Sequence, residues 1–433
     1  MSAAVARGER SVLGAVFAEE RSVPADAARA ALGVATYAAF RASGLLDETD
    51  GLVTGLVRFE PFDGLLFASD RRAAHRQGAA DFVLGVGGTS RRIAQLLPRR
   101  PGDEVLDLGC GCGVLGIRAS RQARRVLAVD VNPRAVAFAR FNAELNGCDT
   151  LETAVGDLFA PVGAQRFDLV VCNAPYAISP DTTFVYRDGG AGFCERLARA
   201  TPDHLRDHGI ALLGLNWAVH GGEQWQRTLA GWFADSACDL WLLTSQCLTP
   251  RDYATLWLVQ QYEGDVPEDE LARWTAAYQA ADIVELRGGH ALLYRPRGRA
   301  PWIEMRELPL LDDAAGAAVA RILAARDLAA HASDEALLAL RLRPSPTLET
   351  VEQRSPGPDG WQVRALDLRA TAGLRVALRV DPVAADLLGW LDGSRTLGEA
   401  ARAFAARRGL DDGPLLAALP ALLRSLLELG LLE

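Results

Sequence analysis

Two segments of this chain combine residue types that could together hold a cofactor and a second reactant. The first, residues 105–113, reads VLDLGCGCG and is rich in glycine. The second, residues 173–176, reads NAPY and ends an apolar run. Either segment alone is ambiguous, but together they indicate a nucleotide-like cofactor held beside a flat, nitrogen-bearing acceptor.

The glycine spacing in the first segment is typical of a turn that leads from a strand into a helix. Gly109, Gly111 and Gly113 let the backbone turn tightly and leave no side chain between the main chain and a bound ligand. Residues 111–116, GCGVLG, also satisfy the G-x-G-x-x-G pattern of dinucleotide-binding proteins, so NAD is an alternative cofactor.

Three acidic residues favour a different cofactor. Asp107 precedes the loop, where it could accept a hydrogen bond from an amino-acid ammonium, an unusual neighbour for a pyrophosphate. Asp130 closes the next predicted strand, 21 residues after Gly109, where its carboxylate could accept from both ribose hydroxyls. Asp157 follows the third predicted strand, in position to meet an adenine amine. Amino acid, ribose and adenine describe S-adenosylmethionine, and the predicted cofactor site consists of Asp107, Gly109, Gly111, Gly113, Asp130, Asn132, Asp157, Leu158 and Asn173.

The two segments resemble those of a known enzyme family. Residues 107–113, DLGCGCG, with residues 173–176, NAPY, look like the class I S-adenosylmethionine-dependent methyltransferases. They are most similar to the branch with an Asn-Pro-Pro-Tyr signature, which methylates planar nitrogens such as adenine or guanine amines and the glutamine amides of release factors. Residues 186–190, YRDGG, also look like ribosomal-RNA and protein-glutamine methyltransferases of this branch, and the resemblance covers roughly residues 80–262.

The resemblance implies catalytic roles for Asn173, Ala174, Pro175 and Tyr176. The Asn173 side-chain oxygen and the Ala174 carbonyl would each accept one hydrogen of the acceptor nitrogen and orient it toward the sulfonium methyl. Tyr176 would stack on the acceptor plane. Ala174 stands where the family has its first proline, so the turn loses one fixed φ angle, and the acceptor can differ from the usual amide or base.

Strands and helices alternate from residue 103 onward, which predicts an α/β fold. The strands are apolar on both faces, a pattern typical of a parallel sheet that helices cover on both sides. We expect a Rossmann-like, mostly parallel methyltransferase sheet of seven strands: residues 104–108, 125–130, 151–155, 167–172, 210–216, 238–243 and 254–260.

Three domains are expected along the chain. Residues 1–80 are predicted to form an N-terminal accessory region of helix and strand, residues 81–304 the catalytic domain with a C-terminal hairpin extension, and residues 305–433 a winged-helix-like accessory domain. Further predicted elements are a helix at 24–44, strands at 51–67 around an Asp63-Gly64 turn, helices at 90–97 and 265–280, a hairpin at 283–294 around Gly288-Gly289, a loop at 344–360, and three helices within 381–433.

Composition limits the partners of this 433-residue chain. Its net charge of −9 disfavours a general electrostatic grip on nucleic acid. We find no apolar run long enough for a bilayer and no secretory pattern at the N-terminus, so we expect a soluble, cytoplasmic protein without a membrane partner.

His204 and His208 have the spacing of a metal pair on a predicted helix, but no third ligand accompanies them, and no metal is predicted.

Three functions stay open at this point. The leading prediction is an S-adenosylmethionine-dependent N-methyltransferase that acts on a planar amine or amide of a protein, a peptide or a small metabolite. The second keeps the fold and takes a ribosomal-RNA base as acceptor, held through arginine clusters at 71–76, 91–100 and 118–125. The third is a methyltransferase fold recruited for binding or for non-methyl chemistry in secondary metabolism.

Overall fold

Residues 11–173, 177–188, 192–357 and 360–433 are described by the computed structural model of this chain. The predicted catalytic residues Ala174, Pro175 and Tyr176 lie outside the described residues, as do Gly189 and Gly190 of the YRDGG segment. The chain divides into two units. The first contains residues up to 93, 101–295 and 301–307, and the second contains residues 94–100, 296–300 and 308–433.

Short helices and strands make up the N-terminal part of the chain. Gly33, with a φ of 76°, separates two helices, so the single helix expected at 24–44 is wrong. Asp63 and Gly64, with φ values of 51° and 73°, join two paired strands and confirm the predicted turn. The elements are a π-helical turn (Gly14–Ala18), β1 (Val23–Pro24), α1 (Ala25–Leu32), α2 (Val34–Ala42), β2 (Leu46–Thr49), β3 (Leu52–Gly55), β4 (Arg58–Phe62), β5 (Leu65–Ser69), α3 (Arg72–Arg76) and α4 (Gly88–Leu96).

Strands and helices alternate through the rest of the first unit. Asn132 begins one of these helices, because its side chain accepts a hydrogen bond from the Arg134 N–H and Pro133 follows it. The elements are β6 (Glu104–Leu108), α5 (Val114–Ser120), β7 (Arg125–Asp130), α6 (Pro133–Leu145), β8 (Leu151–Val155), β9 (Phe167–Asn173), β10 (Ala177–Ile178), β11 (Arg187–Asp188), α7 (Phe193–Ala200), a 3₁₀ helix (Thr201–His204), β12 (Leu205–His220), α8 (Trp225–Trp232), β13 (Asp239–Leu248), α9 (Pro250–Tyr262), α10 (Glu268–Ala280), β14 (Ile283–Tyr294) and β15 (Ile303–Glu307).

Eight of these strands form one sheet in the order β15-β13-β14-β12-β9-β6-β7-β8. The strands from β12 to β8 are parallel, whereas β14 is antiparallel to both of its neighbours, β12 and β13. Leu106, Val170 and Leu213 at the centre of this sheet have no exposed surface. The predicted α/β, Rossmann-like and mostly parallel fold is confirmed, with eight strands in place of seven.

The last of the seven predicted strands, residues 254–260, is wrong because this segment lies within α9. The Thr249 hydroxyl accepts a hydrogen bond from the Asp252 N–H, and Pro250 occupies the first helical position. Both features favour a helix start. Tyr253, Ala254 and Leu258 are buried with helical spacing, so the apolar residues that suggested a strand form the inner face of a helix.

The hairpin predicted at 283–294 is also wrong, since these residues form the single strand β14. Its two glycines permit a close approach of neighbouring strands. A Cβ atom at Gly288 would lie 2.5 Å from the Asn216 side-chain oxygen, and one at Gly289 would lie 2.7 Å from the Leu243 carbonyl oxygen. The glycines therefore mark crowding inside the sheet, where the sequence suggested a turn.

Replacing Gly289 by alanine is expected to lower the free energy of unfolding by about 1–3 kcal/mol, because the added methyl group would press on the backbone of β13. Chemical denaturation in urea measures the change. Gly231→Ala in α8 is the control, since nothing lies within 4 Å of its Cβ position. Alanine also favours a helix, so this variant should be at least as stable as the parent. A Gly289→Ala variant of parental stability would contradict the expectation.

The predicted helix that carries His204 and His208 is not formed. The chain leaves the 3₁₀ helix after His204 because Leu205 pairs with Phe167 of β9. The His204 ring stacks on Phe159 at a centroid distance of 4.0 Å, and His208 Nδ1 lies 2.7 Å from the Tyr294 hydroxyl. Within the described ranges, we find no group of three or more His, Cys, Asp or Glu side chains that could hold a metal ion.

The second unit contains a helical part and a three-stranded antiparallel sheet. The loop predicted at 344–360 is wrong from Leu348 onward, because a strand begins there whose mostly exposed residues gave no apolar pattern. The three helices predicted within 381–433 are confirmed. The elements are α11 (Ala315–His331), α12 (Asp334–Leu338), β16 (Leu348–Gly357), β17 (Gly360–Ala370), β18 (Ala377–Val380), α13 (Pro382–Leu388), α14 (Leu397–Arg408) and α15 (Asp412–Glu428).

In the part of the chain that the structure describes, no helix combines the length and the apolar composition that a membrane crossing requires.

Candidate active site

A cleft opens where β6, β7, β8 and β9 end, at the carboxyl edge of the parallel strands. Ligands of open α/β sheets bind at this edge. The cleft contains about 1090 Å³ of space between protein atoms, including some open solvent. Eight of the nine predicted cofactor residues line it: Asp107, Gly109, Gly111, Asp130, Asn132, Asp157, Leu158 and Asn173.

The glycine loop takes a backbone path that favours glycine. Gly109, Gly111 and Gly113 have φ values of 61°, 53° and 83°. Nothing lies within 4 Å of the Cβ position of Gly111, which therefore faces open space. A Cβ at Gly113 would lie 3.1 Å from the Ala139 backbone. Gly113 is not among the described cleft-lining residues, and its contact explains it as a packing position against α6.

Asp130 ties the glycine loop to the end of β7. Its Oδ2 accepts a hydrogen bond from the Gly111 N–H at 2.9 Å, and its Oδ1 accepts from the Asn132 N–H at 2.9 Å. Burial raises the pKa of this carboxyl, and the backbone hydrogen bonds oppose that rise. An ionised carboxylate has about four lone-pair sites. Both oxygens can therefore still accept hydrogen bonds from a ligand.

Asp107 lies beneath the loop and has only 1% of its surface exposed. Its Oδ2 accepts a hydrogen bond from the Gly116 N–H of α5 at 2.7 Å. Burial raises the pKa of Asp107 to about 7, with a further contribution from the charge of Asp130. A nearby cation would favour the ionised form of this carboxyl.

Asn132 connects the cleft to the segment that precedes α4. Its side-chain nitrogen donates to the Asp81 carbonyl at 2.8 Å, next to the cleft-lining residues 82–85. Asp157 and Leu158 follow β8, and Leu158 has a φ of 46°, which is unusual for a branched side chain. Asn132, Asp157 and Leu158 all line the cleft.

Of the predicted acceptor segment, residues 173–176, the structure describes Asn173. Its Nδ2 donates to the Ser90 hydroxyl at 2.9 Å, which fixes the amide orientation. Its Oδ1 is buried and has no hydrogen-bond partner among the described residues. A buried carbonyl oxygen without a partner is costly, and this oxygen is available to accept a hydrogen bond.

Sequence reasoning missed the aromatic side chains of the cleft. Phe82, Tyr186, Phe193 and Trp257 line the same cleft as Asn173. Trp257 was hidden by the incorrect strand assignment of residues 254–260. Tyr186 stood in the YRDGG segment and could have been singled out from that resemblance.

Part of this chain is similar to a known protein family. Residues 85–217 match the family described as the methyltransferase small domain. The family is one of class I S-adenosylmethionine-dependent methyltransferases. Outside the methyltransferase small domain, residues 324–433 match a domain of unknown function, DUF7782.

Several curated relatives are similar to the methyltransferase small domain region. A ribosomal protein L11 methyltransferase of Thermosipho africanus is 44% identical over 21% of this chain and 36% of its own length. A release factor glutamine methyltransferase of Geobacter sulfurreducens is 30% identical over 37% of this chain and 58% of its own length. A ribosomal protein L11 methyltransferase of Prochlorococcus marinus is 32% identical over 35% and 54%, respectively. The chain thus spans between about a third and three fifths of these relatives.

The described residues of the methyltransferase small domain fit S-adenosylmethionine, the cofactor that the family indicates. The cleft offers three carboxylates, Asp107, Asp130 and Asp157, and none of the described residues that line it is Lys, Arg or His. This charge suits a ligand with an ammonium and a sulfonium group and opposes a pyrophosphate. The open space at Gly111 and the remaining acceptor capacity of Asp130 suit the ribose and amino-acid parts of the same ligand.

Proposed function

We propose that this protein is an S-adenosylmethionine-dependent N-methyltransferase whose acceptor is a planar amine or amide of a protein, a peptide or a small metabolite. The observation that carries the proposal is the arrangement of Asn173. It lines the same cleft as the three carboxylates, and its Oδ1 has no hydrogen-bond partner among the described residues. This oxygen is a ready acceptor for one hydrogen of a substrate nitrogen.

Positioning is the main catalytic contribution of these residues. The cofactor, when bound, supplies an electrophilic sulfonium methyl group. Asn173 Oδ1 accepts a hydrogen of the acceptor nitrogen and directs its lone pair, and Ser90 holds the Asn173 amide in place. Asp107 and Asp130 would hold this cofactor, which would supply the methyl group to the nitrogen that Asn173 orients, and the nitrogen would release a proton to solvent. Reactants held at about 3–3.5 Å gain a large effective molarity, so no strong general base is required.

The arginine clusters support this acceptor class over ribosomal RNA. Arg91 pairs with Glu60 at 2.7 Å, Arg121 with Asp63 at 2.9 Å, and Arg125 with Glu152 at 2.6 Å. Guanidinium groups engaged in such pairs are less available to phosphates. Together with the net charge of −9, these pairs favour a protein, a peptide or a small molecule.

The proposal is tested in two steps. Calorimetric titration should show that S-adenosylmethionine binds at micromolar levels, and NAD should not compete. The protein is then incubated with cofactor labelled in the methyl group and a cell extract, which is separated into protein, RNA and small-molecule fractions. Label in the protein or small-molecule fraction supports the proposal. Label in RNA alone moves the function to base methylation, and binding without any transfer favours a recruited binding protein.

The affinity for S-adenosylmethionine is expected to rise about five- to tenfold from about pH 6 to about pH 7.5. The pKa of Asp107 is raised to about 7, so below that pH the carboxyl is mostly protonated and cannot attract the ligand ammonium. The same raised pKa implies that the ligand-free protein loses stability as the pH rises through about 7. Calorimetry at each pH measures the affinity. Asp107→Asn should bind weakly with little pH dependence, and an equally steep profile in that variant would exclude Asp107 as the cause.

A further inference from the structure

His75 lies at the centre of an aromatic cluster beside the cleft. This α3 residue is only 4% exposed. Its ring stacks on Phe82 at a centroid distance of 4.5 Å and an interplanar angle of 7°. Phe184 and Tyr186 pack edge-on against it at 4.8 Å and 5.9 Å. The proposed transfer reaction above gives this buried imidazole no role.

The hydrogen bonds of His75 join two elements that are distant in sequence. Its Nε2 lies 2.6 Å from the Tyr186 hydroxyl, and its ring also bonds to the backbone of Gln260 in α9. Burial, with a smaller contribution from the charge of Arg187, lowers the pKa of His75 to about 4. The ring is therefore neutral near pH 7. With one nitrogen donating to the Gln260 carbonyl, Nε2 accepts the proton of the Tyr186 hydroxyl.

These bonds hold the aromatic wall, which we define as Tyr186 and Trp257. Trp257 lies in α9, one turn before Gln260. The two rings of the wall are stacked at a centroid distance of 6.0 Å and an interplanar angle of 23°, and both line the cleft. Phe184 stacks on Tyr186 at 5.2 Å from within the same segment. His75 thus links both members of the wall, one through its hydroxyl and one through its helix.

The charge of the cleft favours an uncharged flat ligand over an anionic one. The ionisable groups of the described lining residues are the carboxylates of Asp107, Asp130 and Asp157, together with weakly acidic tyrosine and cysteine groups. An anionic acceptor would meet repulsion from the carboxylates, and the described lining residues include no cation. The Arg187 guanidinium, whose charge acts on His75, is already paired with Asp181 at 2.7 Å. An uncharged planar group keeps the favourable contact with aromatic side chains.

We propose that the aromatic wall selects an uncharged, flat acceptor group, and that His75 is the positioning residue that holds this wall in place. The inference rests on the proposed function, since it assigns the acceptor half of the same cleft. It identifies the acceptor by charge and shape alone.

Nicotinamide and nicotinate are matched probes for this test, because both are flat rings of the same size and only the second is anionic near neutral pH. Their binding to the parent protein saturated with S-adenosylhomocysteine is measured by ligand-observed NMR titration. Nicotinamide is expected to bind about tenfold more tightly than nicotinate. Equal binding of the two probes would overturn the selection by charge.

Variants then test the role of His75. His75→Phe keeps a flat apolar ring and removes both hydrogen bonds, and it should weaken nicotinamide binding about fivefold. His75→Gln retains a donor and an acceptor and should restore most of the affinity. Trp257→Leu removes one ring of the wall and should lose at least as much affinity as His75→Phe. Parental nicotinamide affinity in His75→Phe, or an equal loss in His75→Gln and His75→Phe, would overturn the positioning role.

Cofactor binding separates this inference from the proposed function. Each variant should bind S-adenosylhomocysteine with parental affinity and remain folded at the assay temperature, with a cooperative unfolding transition above it. If the parent protein binds neither S-adenosylmethionine nor S-adenosylhomocysteine, the proposed function fails. If it binds them and the probes do not respond to the wall variants, only the assignment of His75 and the aromatic wall fails.

Discussion

Alanine in place of Asp130 is expected to weaken S-adenosylmethionine binding by about 100-fold or more. Two ribose hydroxyls would lose their charged acceptor, and each such hydrogen bond is worth about 1.5–3 kcal/mol. The Gly111 and Asn132 N–H groups would also lose the partner that holds the glycine loop in position. The loss therefore combines a missing contact with a less ordered loop.

Calorimetry on three variants separates these contributions. Asp130→Asn keeps one acceptor oxygen and should give an intermediate affinity. Asp149→Ala is the matched control, because Asp149 is exposed and lies outside the cleft lining, and it should bind as the parent does. If Asp130→Ala binds within about threefold of the parent, the ribose assignment is wrong.

Alanine in place of Asn173 is expected to reduce methyl transfer by about 10²–10³-fold at saturating cofactor. The substitution removes the oxygen that would orient the acceptor nitrogen. Cofactor affinity should stay within about threefold of the parent, because the loss falls on the acceptor side of the cleft. Incorporation of labelled methyl into the extract fraction that the parent modifies measures the rate.

Ser90→Ala provides a graded comparison for Asn173. It leaves the Asn173 oxygen in place and removes the hydroxyl that accepts from Nδ2 at 2.9 Å. A reduction of about 5–10-fold is expected from the loss of one hydrogen bond. If Asn173→Ala retains the parental rate while the parent transfers methyl groups, then another residue orients the acceptor and the assigned role is excluded.

The cofactor half of the cleft was predictable because its determinants are local. The bounds of β6, β7 and β8 match the predicted strands, and each acid lies within a few residues of a strand end. Strand, glycine turn and carboxylate follow each other directly along the chain. Their arrangement in space then follows from the rule that parallel strands end at one edge of a sheet.

The acceptor half was not predictable in the same way, because it is built from segments far apart in sequence. His75 and Tyr186 are separated by 111 residues, and Asn173 and Ser90 by 83. Trp257 belongs to a helix whose apolar residues also fit a strand. Short apolar runs permit both assignments, and only the tertiary packing decides between them.

The reversed strand β14 has a consequence for synthesis on the ribosome. Both β12 and β13 use β14 as a hydrogen-bonding neighbour, yet β14 is made after them. Until residues 283–294 emerge, the 16-residue β12 has an unpaired edge whose central residues, 210–215, carry no polar side chain. Such an edge invites pairing with other chains. A translation product that stops before Ile283 would therefore be a target for chaperones or a seed for aggregation, even though it already carries the complete glycine loop.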